Sequence, residues 1–245
     1  MPTRPEHDAT TVAGAGDDDT VLDLDRLTIT FQLQGGALSR LLGLRPRRVH
    51  AVDDVSLRLA RGEVLGVVGE SGSGKTTLGR ALLGLVPATS GTITYRNRAG
   101  SLMEVSELRG RRLRELRTDL QMVFQDPHAA LNPSMTIEEA VGHPLRIHRV
   151  AQGADLRARV VDALERVGLS PVERYLTKHP SDLSGGQKQR AVIARAIILG
   201  PQVLVADEPV SMLDMSVRAK ILQLMVDLKR DLGLTYVYIT HDLAS

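Results

Sequence analysis

Residues Gly69-Glu70-Ser71-Gly72-Ser73-Gly74-Lys75-Thr76 fit the pattern G-x-x-x-x-G-K-[ST] at every fixed position. That spacing suits the binding of linked phosphates. Glycines let successive backbone N–H groups turn inward around phosphate oxygens, and a helix starting at the end of the loop aims its dipole at the same anion. Lys75 is placed to neutralise the β and γ phosphates and Thr76 to offer its hydroxyl to Mg²⁺, so Gly69 to Thr77 is the candidate nucleotide-binding run. A second cluster, Val203-Leu204-Val205-Ala206-Asp207-Glu208, is an apolar run ending in two adjacent carboxylates, costly unless cations or hydrogen bonds meet them. Asp207 is the candidate Mg²⁺ ligand, directly or through water. Glu208 is the candidate acceptor of a proton from an attacking water. A third cluster, Leu183-Ser184-Gly185-Gly186-Gln187, opens a helix with Ser184 as its N-cap. On physical grounds it is either a second anion-binding helix end or simply a capped helix.

The elements that hold these groups follow from hydrophobic periodicity. VLDLDRLTITFQL from Val21 and HAVDDVSLRLA from His50 alternate as half-buried strands, and GGALSRLLGLRPRR between them is a Gly-bounded insertion with room for a short helix. EVLGVV at Glu63 to Val68 runs into the Gly-rich turn, and Leu78 to Leu85 beyond it reads as a helix. GTITYR at Gly91 to Arg96 and QMVFQ at Gln121 to Gln125 read as strands, with a charged helix between them. Asp126 to Pro180 loses strand alternation and carries helical stretches such as ADLRARVVDALERVGL. A helix from Ser184, the strand VLVAD, a helix over Val217 to Leu232 and the strand TYVYIT complete the series. Strands alternating with helices imply a mainly parallel sheet covered by helices. Met1 to Thr20, rich in Asp, Thr, Gly and Ala, reads as a disordered lead-in.

Composition narrows the classes. The 245 residues are 42% hydrophobic, enough for a packed core, but only 2% aromatic, so Leu, Val, Ile and Ala must fill it. With 31 basic and 29 acidic residues the formal charge is +2, far from the dense positive field of a dedicated nucleic-acid binder. The arginine runs at Arg45 to Arg48 and Arg109 to Arg117 read as solvated helix faces. No cysteine is present, which excludes disulfides, thiolate metal sites and cysteine nucleophiles. No stretch of about 18 apolar residues occurs, so a membrane location has to come through a partner.

LSGGQ following a phosphate loop resembles the signature of the ABC (ATP-binding cassette) ATPases, and further positions match that family in order. Gln125, closing QMVFQDP, resembles the Q-loop glutamine, which in the family senses Mg²⁺ and the γ-phosphate. Ser211-Met212-Leu213-Asp214 is similar to the D-loop, where Asp214 joins two nucleotide sites across a dimer. His241 in YITHD resembles the switch histidine. The family stacks an aromatic on adenine from an early strand, which points to Phe31, with His50 as the rival. DPHAALNPSMTI, HPSDLSGGQKQR, EPVSMLDMS and HAVDDVSL narrow the resemblance to ATP-binding subunits of oligopeptide, dipeptide and nickel importers, from about Val21 to the last residue.

The resemblance implies an α/β P-loop NTPase cassette with a mainly parallel sheet core, early antiparallel strands and an inserted helical subdomain. The core is assigned to residues 21–125 and 190–245 and the subdomain to 126–189. It implies ATP and Mg²⁺ as cofactors, with Glu208, His241, Lys75 and Gln125 catalytic, and Thr76, Gln125 and Asp207 holding the metal. Each ATP is expected between Lys75 of one cassette and Ser184, Gly185, Gly186 and Gln187 of another. The implied partners are a second ATPase, membrane permeases and, indirectly, an extracellular solute-binding protein, with no nucleic acid. The implied location is the cytoplasmic face of the membrane. Two departures stand out. Met212 and Met215 replace smaller residues and read as packing changes, and the ending four residues past His241 reads as a truncated C-terminal part. A soluble ribosome- or nucleic-acid-acting ABC protein and a non-hydrolysing partner subunit are the alternative readings.

Overall fold

The computed structural model describes residues 19–33 and 47–241. The lead-in through Asp18 and most of the Gly35 to Arg48 insertion lie outside them. Thr20, assigned above to the lead-in, instead opens the first strand, and Arg47 and Arg48 belong to the second.

Two four-stranded sheets form the scaffold. The first joins β1 (Thr20–Leu33), β2 (Arg47–Ala60), β4 (Ser90–Arg96) and β5 (Leu102–Glu104) in the antiparallel order β2-β1-β4-β5. The second is wholly parallel, in the order β3-β8-β7-β6, from β3 (Val64–Val68), β6 (Leu120–Val123), β7 (Val203–Asp207) and β8 (Thr235–Thr240). The early strands therefore make a sheet of their own rather than an edge of the parallel one. The short strand β5 has no counterpart in the sequence reading.

The parallel sheet is the middle layer, and its period of two divides the core. Val203, Val205, Val237 and Ile239 face a cluster with the antiparallel sheet and helix α1 (Lys75–Leu82). Leu204, Ala206 and Tyr236 face the other cluster, shared with helices α4 (Ile137–Ile147), α5 (Gly153–Arg166), α7 (Gly185–Ile197) and α8 (Met215–Leu232). Burial on both faces explains why β7 reads as an unbroken apolar run instead of alternating. Helix α1 lies close on the sheet because Gly79 has no side chain: a Cβ there would come within 2.9 Å of Ile239 and 3.0 Å of Val205. The remaining helices are α2 (Gly110–Asp119), α3 (Pro127–Ala130) and α6 (Glu173–Leu176). The arginines of α2 do more than face solvent. Arg111 pairs with Glu115, while Arg117 donates to the carbonyls of Leu83 and Gly84, meeting the negative end of α1.

Tyr95 ties the two sheets together. Its ring is fully buried, and its hydroxyl donates to Asp119 Oδ2 at 2.9 Å and lies 3.3 Å from Gln202 Oε1, at the entrances of β6 and β7. Burial, and then the neighbouring Asp119 carboxylate, push the phenol above its ordinary range, so it stays a donor.

Candidate functional site

Where the carboxyl ends of the parallel strands meet the antiparallel sheet, a cleft of about 500 Å³ opens. Strand ends carry the chemistry there because the loops leaving them converge at one edge of the sheet. From the phosphate loop and the first turn of α1 come Ser71, Gly72, Gly74, Lys75, Thr76 and Thr77. Beyond β6 and β7 stand Gln125 and Glu208, and His241 follows β8. Phe31, Val49 and Ala51 of the antiparallel sheet form the opposite wall.

Phe31 and Val49 are cross-strand partners, whereas Thr30 pairs with His50 and bonds its ring nitrogen at 3.4 Å. Alternation along the strands therefore brings Phe31 to the cleft, and His50 is not part of its lining. Phe31 is 43% exposed and Val49 40%, an open apolar wall beside a polar loop.

Loop geometry is dictated by Gly74. Its φ of 93° is left-handed, and a Cβ would sit 1.7 Å from the Ala51 carbonyl oxygen, so no other residue fits. The Lys75 ammonium donates to the carbonyls of Gly69 and Glu70, both at 2.7 Å, and lies 3.4 Å from Ser73 Oγ. Those three loop residues are thus gathered around the cation while Lys75 itself remains in the cleft.

Thr76 donates to Asp207 Oδ1 at 3.1 Å. Burial holds the Asp207 carboxyl above the usual carboxylate range; the Thr76 bond lowers it, and the Glu208 charge raises it further. A hydroxyl beside a buried carboxylate, with the Gln125 amide nearby in the cleft, is an all-oxygen donor set that suits a hard cation such as Mg²⁺. Among the described residues no cluster of three or more His, Cys, Asp or Glu could hold a metal.

Glu208 is the most constrained of the site residues. Its Oε2 accepts from Gln125 Nε2 at 2.9 Å, and His241 Nδ1 lies 3.0 Å from its Oε1. Its φ is +46, an unfavourable backbone region costing about 1–3 kcal/mol for a residue with a Cβ, and of the described non-glycine residues with positive φ only Glu208 lines the cleft. No motif or spacing around Glu208 marks this conformation.

The structure does not bring Ser184 to Gln187, or Asp214, into the cleft. Ser184 Oγ accepts from the Gln187 N–H at 3.3 Å and Gln187 Oε1 accepts from the Ser184 N–H at 3.0 Å, a reciprocal cap on α7. The Ser184 hydroxyl proton is left for another acceptor. Gly186 is required by packing as well as by backbone access, because its Cβ would lie 2.6 Å from Val217 Cγ1 on α8. Asp214 stands exposed at the start of α8 without a side-chain cap bond. Met212 and Met215, read above as packing changes, stand mostly in solvent: they are 61% and 80% exposed on either side of Asp214.

The family model described as ABC transporter matches residues 52–211. The glutathione import ATP-binding protein GsiA of Escherichia coli strain K12 is 46% identical over 228 residues, covering 93% of this chain and 35% of that protein. GsiA of Shigella boydii serotype 4 is 45% identical over the same span. The chain therefore spans 35% of the length of these curated relatives. Among solved structures, a dimeric post-hydrolysis state of the cassette MJ0796 bound to ADP and Pi superposes with a TM-score of 0.75 at 31% identity, over 91% of this chain and 89% of that one. The cassette cbiO1 from Clostridium perfringens, part of the complex cbiONQ, matches with a TM-score of 0.68 at 28% identity, over 91% and 79%.

Proposed function

Because the chain belongs to the ABC transporter family, as the match over residues 52–211 establishes, we propose that its cleft binds ATP and hydrolyses it to energise solute import across a membrane. One observation carries the reading: a carboxylate held by both of its oxygens, Glu208 between Gln125 and His241, shares a cleft with a phosphate loop and its lysine.

Phe31 and Val49 take the adenine face, and the backbone N–H groups from Gly72 to Thr77 receive the phosphates. Lys75 exchanges its loop carbonyls for phosphate oxygens. Mg²⁺, when bound through Thr76, Asp207 and Gln125, supplies positive charge to the β and γ phosphates. Glu208 takes a proton from the attacking water as that oxygen bonds to the γ-phosphorus and the bond to the β,γ-bridging oxygen breaks. Lys75 and His241 meet the charge that develops on the transferring group.

Ser184 to Gln187 lie outside the cleft that holds Lys75, so a complete site takes these residues from a second cassette, closed head to tail. Asp214, exposed at the base of α8, lies along that seam. Membrane permeases and an external solute-binding protein complete the assembly. Among the described residues no helix is long and apolar enough to cross a membrane, and the permeases hold the chain at the cytoplasmic face. Residues 126–189 act as the subdomain that transmits closure. Peptides are the proposed cargo class, in keeping with the glutathione import named for GsiA.

Light scattering on the Glu208→Gln variant tests the reading. An ATP-dependent doubling of mass, with turnover reduced at least about a hundredfold, is the expected result; wild-type turnover removes Glu208 as the base.

A further inference from the structure

Among the described residues Glu208 is the only candidate catalytic group whose φ is positive without its being a glycine. It also precedes Pro209, and proline ordinarily presses the residue before it into an extended conformation with φ near −120°. A conformer disfavoured twice over persists only where its neighbours grip it.

Two grips are present. The Glu208 N–H donates to the Ile239 carbonyl at 2.9 Å, extending the β7–β8 ladder by one residue. The Glu208 carbonyl accepts the Ser211 N–H at 3.2 Å and the Ser211 hydroxyl at 3.1 Å. The N–H bond alone closes the four-residue turn over the buried Pro209 and Val210. The hydroxyl is therefore surplus to the turn, and what it adds is a second restraint on the direction of the Glu208 carbonyl. Carbonyl and carboxylate share one Cα, so rotation about the Glu208 N–Cα bond, which carries both groups together, swings the side chain away from Gln125 and His241.

We propose that Ser211 is a positioning residue for hydrolysis: its hydroxyl, bonded to the Glu208 carbonyl, holds Glu208 in the left-handed conformation that keeps the carboxylate between Gln125 and His241. Ser211 does not line the cleft, so it acts through Glu208 alone. The inference rests on Glu208 being the base.

The full chain carrying Ser211→Ala, Ser211→Thr, Glu208→Gln, or Glu208→Gln with Ser211→Ala is assayed for ATPase kinetics and thermal midpoint. Loss of one neutral hydrogen bond corresponds to a fall in kcat of roughly three- to tenfold for Ser211→Ala, with KM and midpoint unchanged. Ser211→Thr restores the rate, and in the Glu208→Gln background Ser211→Ala adds nothing. Wild-type kcat for Ser211→Ala, or an equal loss in the Glu208→Gln background, overturns the proposal, as does a rise in KM together with a lowered midpoint, which marks a merely structural role. The crystal structure of Ser211→Ala decides independently, and alone if the chain by itself turns over no ATP: Glu208 leaving positive φ supports the proposal, and an unmoved backbone overturns it. Wild-type turnover of Glu208→Gln would instead remove the base assignment on which the inference rests.

Discussion

Thr76 Oγ1 and Asp207 Oδ1 meet at 3.1 Å although 131 positions separate them in sequence, joining the first turn of α1 to the end of β7. That bond does not cancel the desolvation of Asp207, whose carboxyl stays raised. A carboxyl raised in the folded state stabilises the fold below its unfolded range, and that contribution is lost as pH rises through the folded value. Asp207→Asn, which keeps an acceptor for Thr76, is therefore expected to melt higher than wild type at neutral pH in EDTA. The gap should close as pH falls below about 4, the ordinary aspartate range. Thermal scans across that window check it; a gap that widens in acid contradicts the assignment.

Lys75→Ala should remove the one ammonium that the described residues place in the cleft. A charge-assisted contact to phosphate contributes about 1.5–3 kcal/mol, so ATP affinity should weaken by roughly ten- to a hundredfold. Titration with a fluorescent nucleotide measures this, and undiminished affinity would remove Lys75 from the site.

Gly74→Ala combines a left-handed φ with a clash 1.7 Å from a backbone oxygen that belongs to β2. Neither neighbour is a flexible side chain, so relief requires the loop to leave β2. A loss of about 3–5 kcal/mol is expected, seen as a melting point lower by about 6–20 °C, together with loss of nucleotide binding. A variant that melts within about 2 °C of wild type would show that the loop does not need this approach.

Tyr95→Phe leaves Asp119 and Gln202 without their shared donor inside the core. The expected cost is about 1–3 kcal/mol, or a melting point lower by about 2–12 °C. ATP affinity should stay unchanged, since Tyr95 is not part of the cleft lining. An unchanged melting point would mean that other contacts set the packing of the two sheets.

The phosphate loop, the acidic pair after VLVA and the Ser184 cap were legible because each is local, with motif and element adjacent in the chain. Helix starts were less so. Helix α1 begins at Lys75 and not near Leu78, and α8 at Met215 and not at Val217. Both first turns are polar or exposed and carry no apolar periodicity. Phe31 could be separated from His50 only by register, because both lie on strands and only the pairing of β1 with β2 says which one reaches the cleft. The Tyr95 tie, the Gly186 contact with Val217 and the left-handed Glu208 depend on partners far along the chain or on a φ angle. Neither leaves a mark in composition or spacing.

The antiparallel sheet gives one wall of the cleft through Phe31 and Val49, and the first turn of α1, which follows the parallel strand β3, gives the other through Lys75 and Thr76. On the proposed reading, a ligand with an aromatic ring at one end and phosphates at the other is a strut between sheets that Tyr95 and the bond from Gln202 to the Arg96 carbonyl also join. On that reading a molecule bearing only phosphates engages the loop and leaves Phe31 and Val49 uncovered, whereas a nucleoside triphosphate spans both walls. On the proposed reading, nucleotide binding thereby sets the spacing of the two cleft walls.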